Sequence, residues 1–293
     1  MQLYWNCLPD STAWHGVALR ASQDAPPLVD TLVQTLVDGA LAEFRRRAAA
    51  DAKVESTFAS LDAPHWRRWC AQIAAVSASR GELAPTAEEL RDAWGQVCRN
   101  VPQVSPNAIP NATAFEPFVT LAIQMLEVMP ELGEQLTLRL RPFSELWEAR
   151  GPGMLRHLFR SLGVDVKSPD RAYTIGLNWT LPLQGGGGWC EPHLHQIFME
   201  AVLVNPFAPL PEPLRAGWLI AQAATAHSGE QPLDPTSLIP FVLAAGEYVE
   251  WTTCDVPRVA MALQAWMNWP AGDATAQAER LLAEHAARTE SAS

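Results

Sequence analysis

AYTIGLNWTLPLQGGGGWCEPHLHQIFME, residues 172–200, decides how the chain is read. Tyr173, Ile175, Leu177, Trp179, Leu181 and Leu183 fall on one side of its first part, and Thr174, Gly176, Asn178, Thr180 and Pro182 on the other. That alternation is the period of a β-strand. Pro182 cannot donate a ladder hydrogen bond, so this end lies at an edge or is leaving the sheet. Four glycines follow, and from Pro192 the apolar pattern reads as a helix running to about residue 204. The stretch is therefore a strand, a flexible break and a helix start, and it carries a cysteine, two histidines and two carboxylates.

Working outward, LTLRLRP (136–142) alternates leucine with Thr137, Arg139 and Arg141 and predicts a second strand. The sheet is thus placed at about 136–183. Between the two strands, Ser144 caps a short helix that breaks at RGPG (150–153), and another runs over 154–162 with Gly163 as its stop. Helical spacing recurs over 28–50, 64–78 and 118–129, and again over 213–226, 237–251, 256–269 and 275–288. TAEE adds a capping box, with Thr86 as N-cap and Glu89 three residues on. The first 26 residues show no clear period. The fold class is α+β, mostly α-helical, with a small sheet packed against a helical C-terminal half. Residues 101–117, rich in proline and asparagine, form a linker or long loop between a helical region (1–100) and an α+β core (118–293), unless all three belong to one domain.

Thirty-two acidic against 21 basic residues give a net charge of −11, which excludes a long electrostatic footprint for nucleic acid. No apolar run reaches the ~18 residues of a membrane span, and the first residues lack the pattern of a secretory leader. Five scattered cysteines without a CxxC pair suit reduced thiols. A cytoplasmic protein with no membrane partner follows as the expectation.

Cys190, His193 and His195 are candidate zinc ligands. In a helix the two histidines point to opposite sides and cannot share an ion; in an extended segment they share a face. The glycine break beside a helix start offers free N–H groups to an anion through Gly186 and Gly187, with Trp189 as a stacking surface. Glu200, set among apolar residues, needs a partner if buried, and Arg150, Arg215 and His193 are candidates. If the RGPG turn meets the glycine run, Glu148, Arg150, His193 and Glu200 converge on one cleft, with Glu200, Glu148 and His193 as acid–base candidates. The reading that follows is a protein or enzyme binding a small molecule or anion at 184–200. The alternatives are a helical protein–protein interaction scaffold and a zinc-dependent hydrolase.

Overall fold

The computed structural model describes residues 2–21, 27–49, 63–80, 84–99, 109–164, 174–202, 205, 208–227 and 233–291. Among them the fold is α+β and mostly helical, around one small mixed sheet. Strand β1 (Gln2–Asn6) leads into α1 (Pro9–Arg20), which is followed by α2 (Thr31–Ala48), α3 (Ala63–Arg80), α4 (Ala87–Arg99), α5 (Glu116–Val128) and the long α6 (Leu132–Ser161). The other strands, β2 (Thr174–Thr180), β3 (Gly188–Glu191) and β4 (Gln196–Glu200), precede α7 (Glu212–His227), α8 (Pro235–Tyr248), α9 (Val256–Met267) and α10 (Ala271–Ser291). The sheet order is β1-β2-β4-β3; the first three strands run parallel and β3 runs antiparallel to β4. No single helix among the described residues is long and apolar enough to cross a membrane.

The alternation read in β2 is real, and both of its faces are covered. Its odd residues join Trp5 and Met199 on an apolar face, where Trp5 and Trp179 meet Phe143 and Trp147 of α6 at ring separations of 5.5 Å (Trp5–Phe143) and 4.8 Å (Phe143–Trp179). α7 covers the β3–β4 end of the same face, with Leu219 against Gly188. The even residues lie under α1, and α3 covers β3 and β4. There Asn6 donates to Asn178 at 3.0 Å and Asn178 to Gln196 at 3.0 Å, so a row of amides crosses three strands. α1 is buried from Pro9 to Leu19, which is why it carries no amphipathic pattern: polar Ser11, Thr12 and His15 serve the sheet while Ala13, Trp14 and Val17 serve the core.

Three sequence readings are corrected. Residues 136–142 are helical, within α6: Leu132, Leu136, Leu140, Phe143 and Trp147 repeat at helical spacing and are buried, whereas Leu138 is 69% exposed. The leucine alternation was an accident of one outward leucine. RGPG does not break the chain either, since α6 runs through both Pro142 and Pro152. The segment from Pro192 is a single 3-10 turn (Pro192–Leu194) followed by β4, so the sheet lies at 2–6 and 174–200 instead of 136–183. The linker reading of 101–117 falls in part outside the described residues, which resume at 109 and enter α5 through a 3-10 turn at Ala112–Phe115. The capping box forms, Thr86 N–H donating to Glu89 at 2.9 Å, and Gly163 closes α6 with φ +68.

Gly151 tests this packing. A methyl group there would sit 2.6 Å from the Trp147 indole, which is itself held by a stack on Phe143. Alanine gains about 1 kcal/mol of helix propensity over glycine, but overpacking a filled core costs about 1–3 kcal/mol. Gly151→Ala should therefore lower the urea unfolding free energy by about 1 kcal/mol and weaken the near-UV signal of the tryptophans. A raised midpoint would show that the indole moves aside freely.

Candidate functional site

Glu200, 1% exposed, ends β4, and its partner is none of the arginines expected from the sequence. It is His15 of α1, 185 residues earlier and 2% exposed, whose Nε2 lies 3.1 Å from Glu200 Oε1. The other ring nitrogen fixes the tautomer. Trp189 Nε1 stands 3.1 Å from His15 Nδ1, and an indole N–H can only donate, so Nδ1 accepts and Nε2 carries the proton toward Glu200. Phe198 stacks on Trp189 at 4.4 Å and on the imidazole at 6.0 Å. The Arg67 guanidinium caps the Trp189 ring at 5.9 Å.

The glycine run completes this network. Gln184 N–H donates to Glu200 Oε1 at 2.8 Å and Gly186 N–H to Oε2 at 2.7 Å. Gly185 and Gly186 hold φ of +82 and +118, conformations that other residues rarely adopt. The loop is thus an anion-binding nest, and its anion is the chain's own carboxylate. Burial pushes the Glu200 carboxyl up, but the His15 contact and the two backbone donors outweigh it and hold the group below its ordinary range. With both His15 nitrogens and both Glu200 oxygens committed, the pair is built to hold β4, β3 and the loop against α1.

The remaining candidates separate into three places. Arg215 pairs with Glu212 at 3.5 Å; burial, together with the nearby charge of Glu200, raises the Glu212 carboxyl against the lowering effect of Arg215. Arg150 lies on the other side of the sheet's apolar cover, donating to the carbonyls of Val249 and Glu250 at 2.7 and 3.1 Å, so it does not join Glu200. His193 sits in the 3-10 turn and His195 in a left-handed residue, φ 52, so neither the helical nor the extended geometry expected for the pair is formed. Among the described residues no three His, Cys, Asp or Glu side chains gather as a metal would require. Cys190 faces the apolar side of the sheet, and burial, followed by the Glu191 charge, pushes its thiol well up, away from nucleophilic use. Trp189 is a buried strand residue and so is no open stacking surface. Gly187 accepts from Glu200 N–H and belongs to the same clamp.

Glu148 and Arg150 share an open cleft of about 460 Å³. It lies between α6 and the end of α8 and is lined also by Pro152, Arg156, Tyr248 and Glu250. Tyr248 is 66% exposed and stacks on His157 at 4.6 Å, and burial of His157 followed by the Arg160 charge lowers its imidazole. His15, Arg156 and Tyr248 were missed in the sequence. The only trace of His15 was PDST at the start of α1, a proline followed by short polar residues at a helix start.

No family model, curated protein or solved structure matches this chain.

Removing His15 should strand both of its neighbours. His15→Phe leaves Glu200 without its side-chain donor and the Trp189 N–H without an acceptor; breaking such a buried pair costs about 3–5 kcal/mol, measurable by denaturant unfolding. A loss below about 1 kcal/mol would show that the network carries little stability.

Asp10 supplies a pH test. It is buried at the start of α1, and burial raises its carboxyl above the ordinary 3.8 despite the hydrogen bond from the Trp14 indole and the opposing influence of the nearby Ser77 hydroxyl. The folded state therefore keeps the proton where the unfolded chain has lost it, and stability falls as pH rises through the folded value. Asp10→Asn should be more stable than wild type at pH 7, with the advantage shrinking toward about pH 4. Glu200, shifted the other way, stabilises above its ordinary value of 4.5 and loses that contribution as pH falls. An Asp10→Asn advantage independent of pH would contradict the assignment.

Proposed function

We propose that the chain is a small-molecule-binding protein whose ligand occupies the cleft between α6 and the end of α8. The observation that carries this reading is the contrast between the two polar sites. At the glycine loop the Glu200 carboxylate, the His15 ring and the Trp189 N–H are spent on one another and on two loop amides. In the cleft, Glu148 and Arg156 make no hydrogen bond or ion pair among the described residues, and an exposed aromatic ring stands across from them. A volume of about 460 Å³ falls within the range of ligand sites. Free thiols at Cys7, Cys70, Cys98, Cys190 and Cys254 accord with a cytoplasmic setting. The helical interaction reading draws on a different surface, the groove of about 390 Å³ between α2 and α5, lined by Leu36, Ala40, Pro117 and Thr120 among others.

A thermal-shift screen of metabolites, followed by calorimetric titration of the hits, separates the two readings. A saturable ligand is expected, and Ala149→Trp, which fills the cleft from an exposed helix position, should weaken it by at least about 10-fold, or ~1.4 kcal/mol. Binding indifferent to Ala149→Trp, or no small-molecule ligand at all, would overturn the cleft reading and leave the interaction surface.

A further inference from the structure

The charges in this cleft have an order. Glu148, Pro152 and Arg156 are spaced four apart on α6 and all line it, so they form one stripe along the helix. Eight residues of α-helix separate the acid from the base by about 12 Å at the backbone. Pro152 has no N–H, which leaves the Glu148 carbonyl without its i+4 donor and adds an acceptor at the acidic end. Between the two ends, Arg150 is committed to the carbonyls that close α8, and its guanidinium stands 3.9 Å from Glu250, so that pair is self-compensating. The cleft is then neutral in sum and polarised along its length, with Pro152 between the two charges and the Tyr248 ring stacked on His157, beside the basic end.

We infer that the ligand is an elongated zwitterion, its ammonium group at Glu148 and its carboxylate at Arg156. This rests on the cleft reading above. A net anion would gain at Arg156 and be repelled by Glu148 and Glu250; a net cation would meet the converse at Arg150 and Arg156. A single amino acid carries its charges too close together to reach both ends. An extended peptide of three to four residues, at ~3.3 Å per residue, covers about 10–13 Å and leaves an inner side chain within the cleft for the Tyr248 ring.

The test uses the full chain and the tripeptide Gly-Phe-Gly, by calorimetry, with free termini, with the amine acetylated and with the carboxyl amidated. Free Gly-Phe-Gly is expected to bind at one site, and each capped form should bind about 10-fold more weakly, the worth of one charge-assisted contact. Glu148→Gln should abolish the penalty for acetylation and Arg156→Gln that for amidation, while each keeps the other penalty. Both residues are exposed, so the variants should retain the wild-type circular dichroism. Equal affinity of capped and free peptides, or binding of other small molecules but no tripeptide, overturns the zwitterion while the cleft reading stands. If no compound feels Ala149→Trp, both fail.

Discussion

A sheet whose two faces are both buried, one of them polar, is the constraint on which the rest of this structure depends. Each amide, hydroxyl or carboxylate carried under α1 would cost roughly 2–7 kcal/mol if left without a partner. The chain meets that demand by covering the polar face with an equally polar helix. Thr12 Oγ1 receives the N–H of Leu181 at 3.2 Å, Asn6 reaches Ser11 and Asn178, and His15 bridges Trp189 to Glu200. The order of the fold follows. β1 must pair with β2 so that its helix crosses the sheet, and the glycine loop must fold back so that its N–H groups reach the carboxylate that ends β4. Asp10 is the exception: buried without a cation among the described residues, it is the place where this arrangement costs stability.

The apolar face sets the second part of the architecture. α6 lays Phe143 and Trp147 onto Trp5 and Trp179, and Gly151 exists at its position because the Trp147 ring lies where a Cβ would be. The same helix turns Glu148, Pro152 and Arg156 outward. The inner stripe fixes the helix against the sheet, and the outer stripe is thereby presented on a rigid element opposite the end of α8. Arg150 strengthens this junction by binding the carbonyls of Val249 and Glu250 just past α8, where a cation also suits the helix dipole.

The amphipathic helices were legible in the sequence because each has one wet and one dry side: α2, α4 and α5 stand close to where their periodicity put them. β2 was legible because its two faces differ in polarity. What escaped was whatever is buried on all sides, or held by a distant partner. α1 has no dry stripe to detect, since all of it is dry except for the groups it offers the sheet. β4 follows its turn so closely that Ile197, Phe198 and Met199 read equally well as helix or strand, a known ambiguity of short apolar runs. The site suffered most. Glu200 was recognisable as a carboxylate in need of a partner, but a contact across 185 residues leaves no mark in local spacing. Glu148 and Arg150 were named on the premise that RGPG is a turn. They do share a cleft, yet with α8 and not with the glycine loop, because helix continuity through Pro152 carries them to the other side of the sheet.

The glycine run illustrates a general point about reading sites from composition. Four glycines before a carboxylate and two histidines look like a receptor for a ligand because they supply free N–H groups, bent backbone and charge. Those properties are equally what a chain needs to bind itself. The two cases separate only when donors and acceptors are counted: at Glu200, 1% exposed, both carboxylate oxygens are met by donors from within the protein. Along the outer stripe of α6 the count does not close among the described residues, since the exposed Glu148 and Arg156 make no side-chain hydrogen bond or ion pair there and Pro152 offers the Glu148 carbonyl no N–H. Groups of the same kind thus serve two ends in one chain: at Glu200 opposite partners are brought together and buried to hold a sheet, and along α6 opposite charges are held apart by helix spacing and left facing outward.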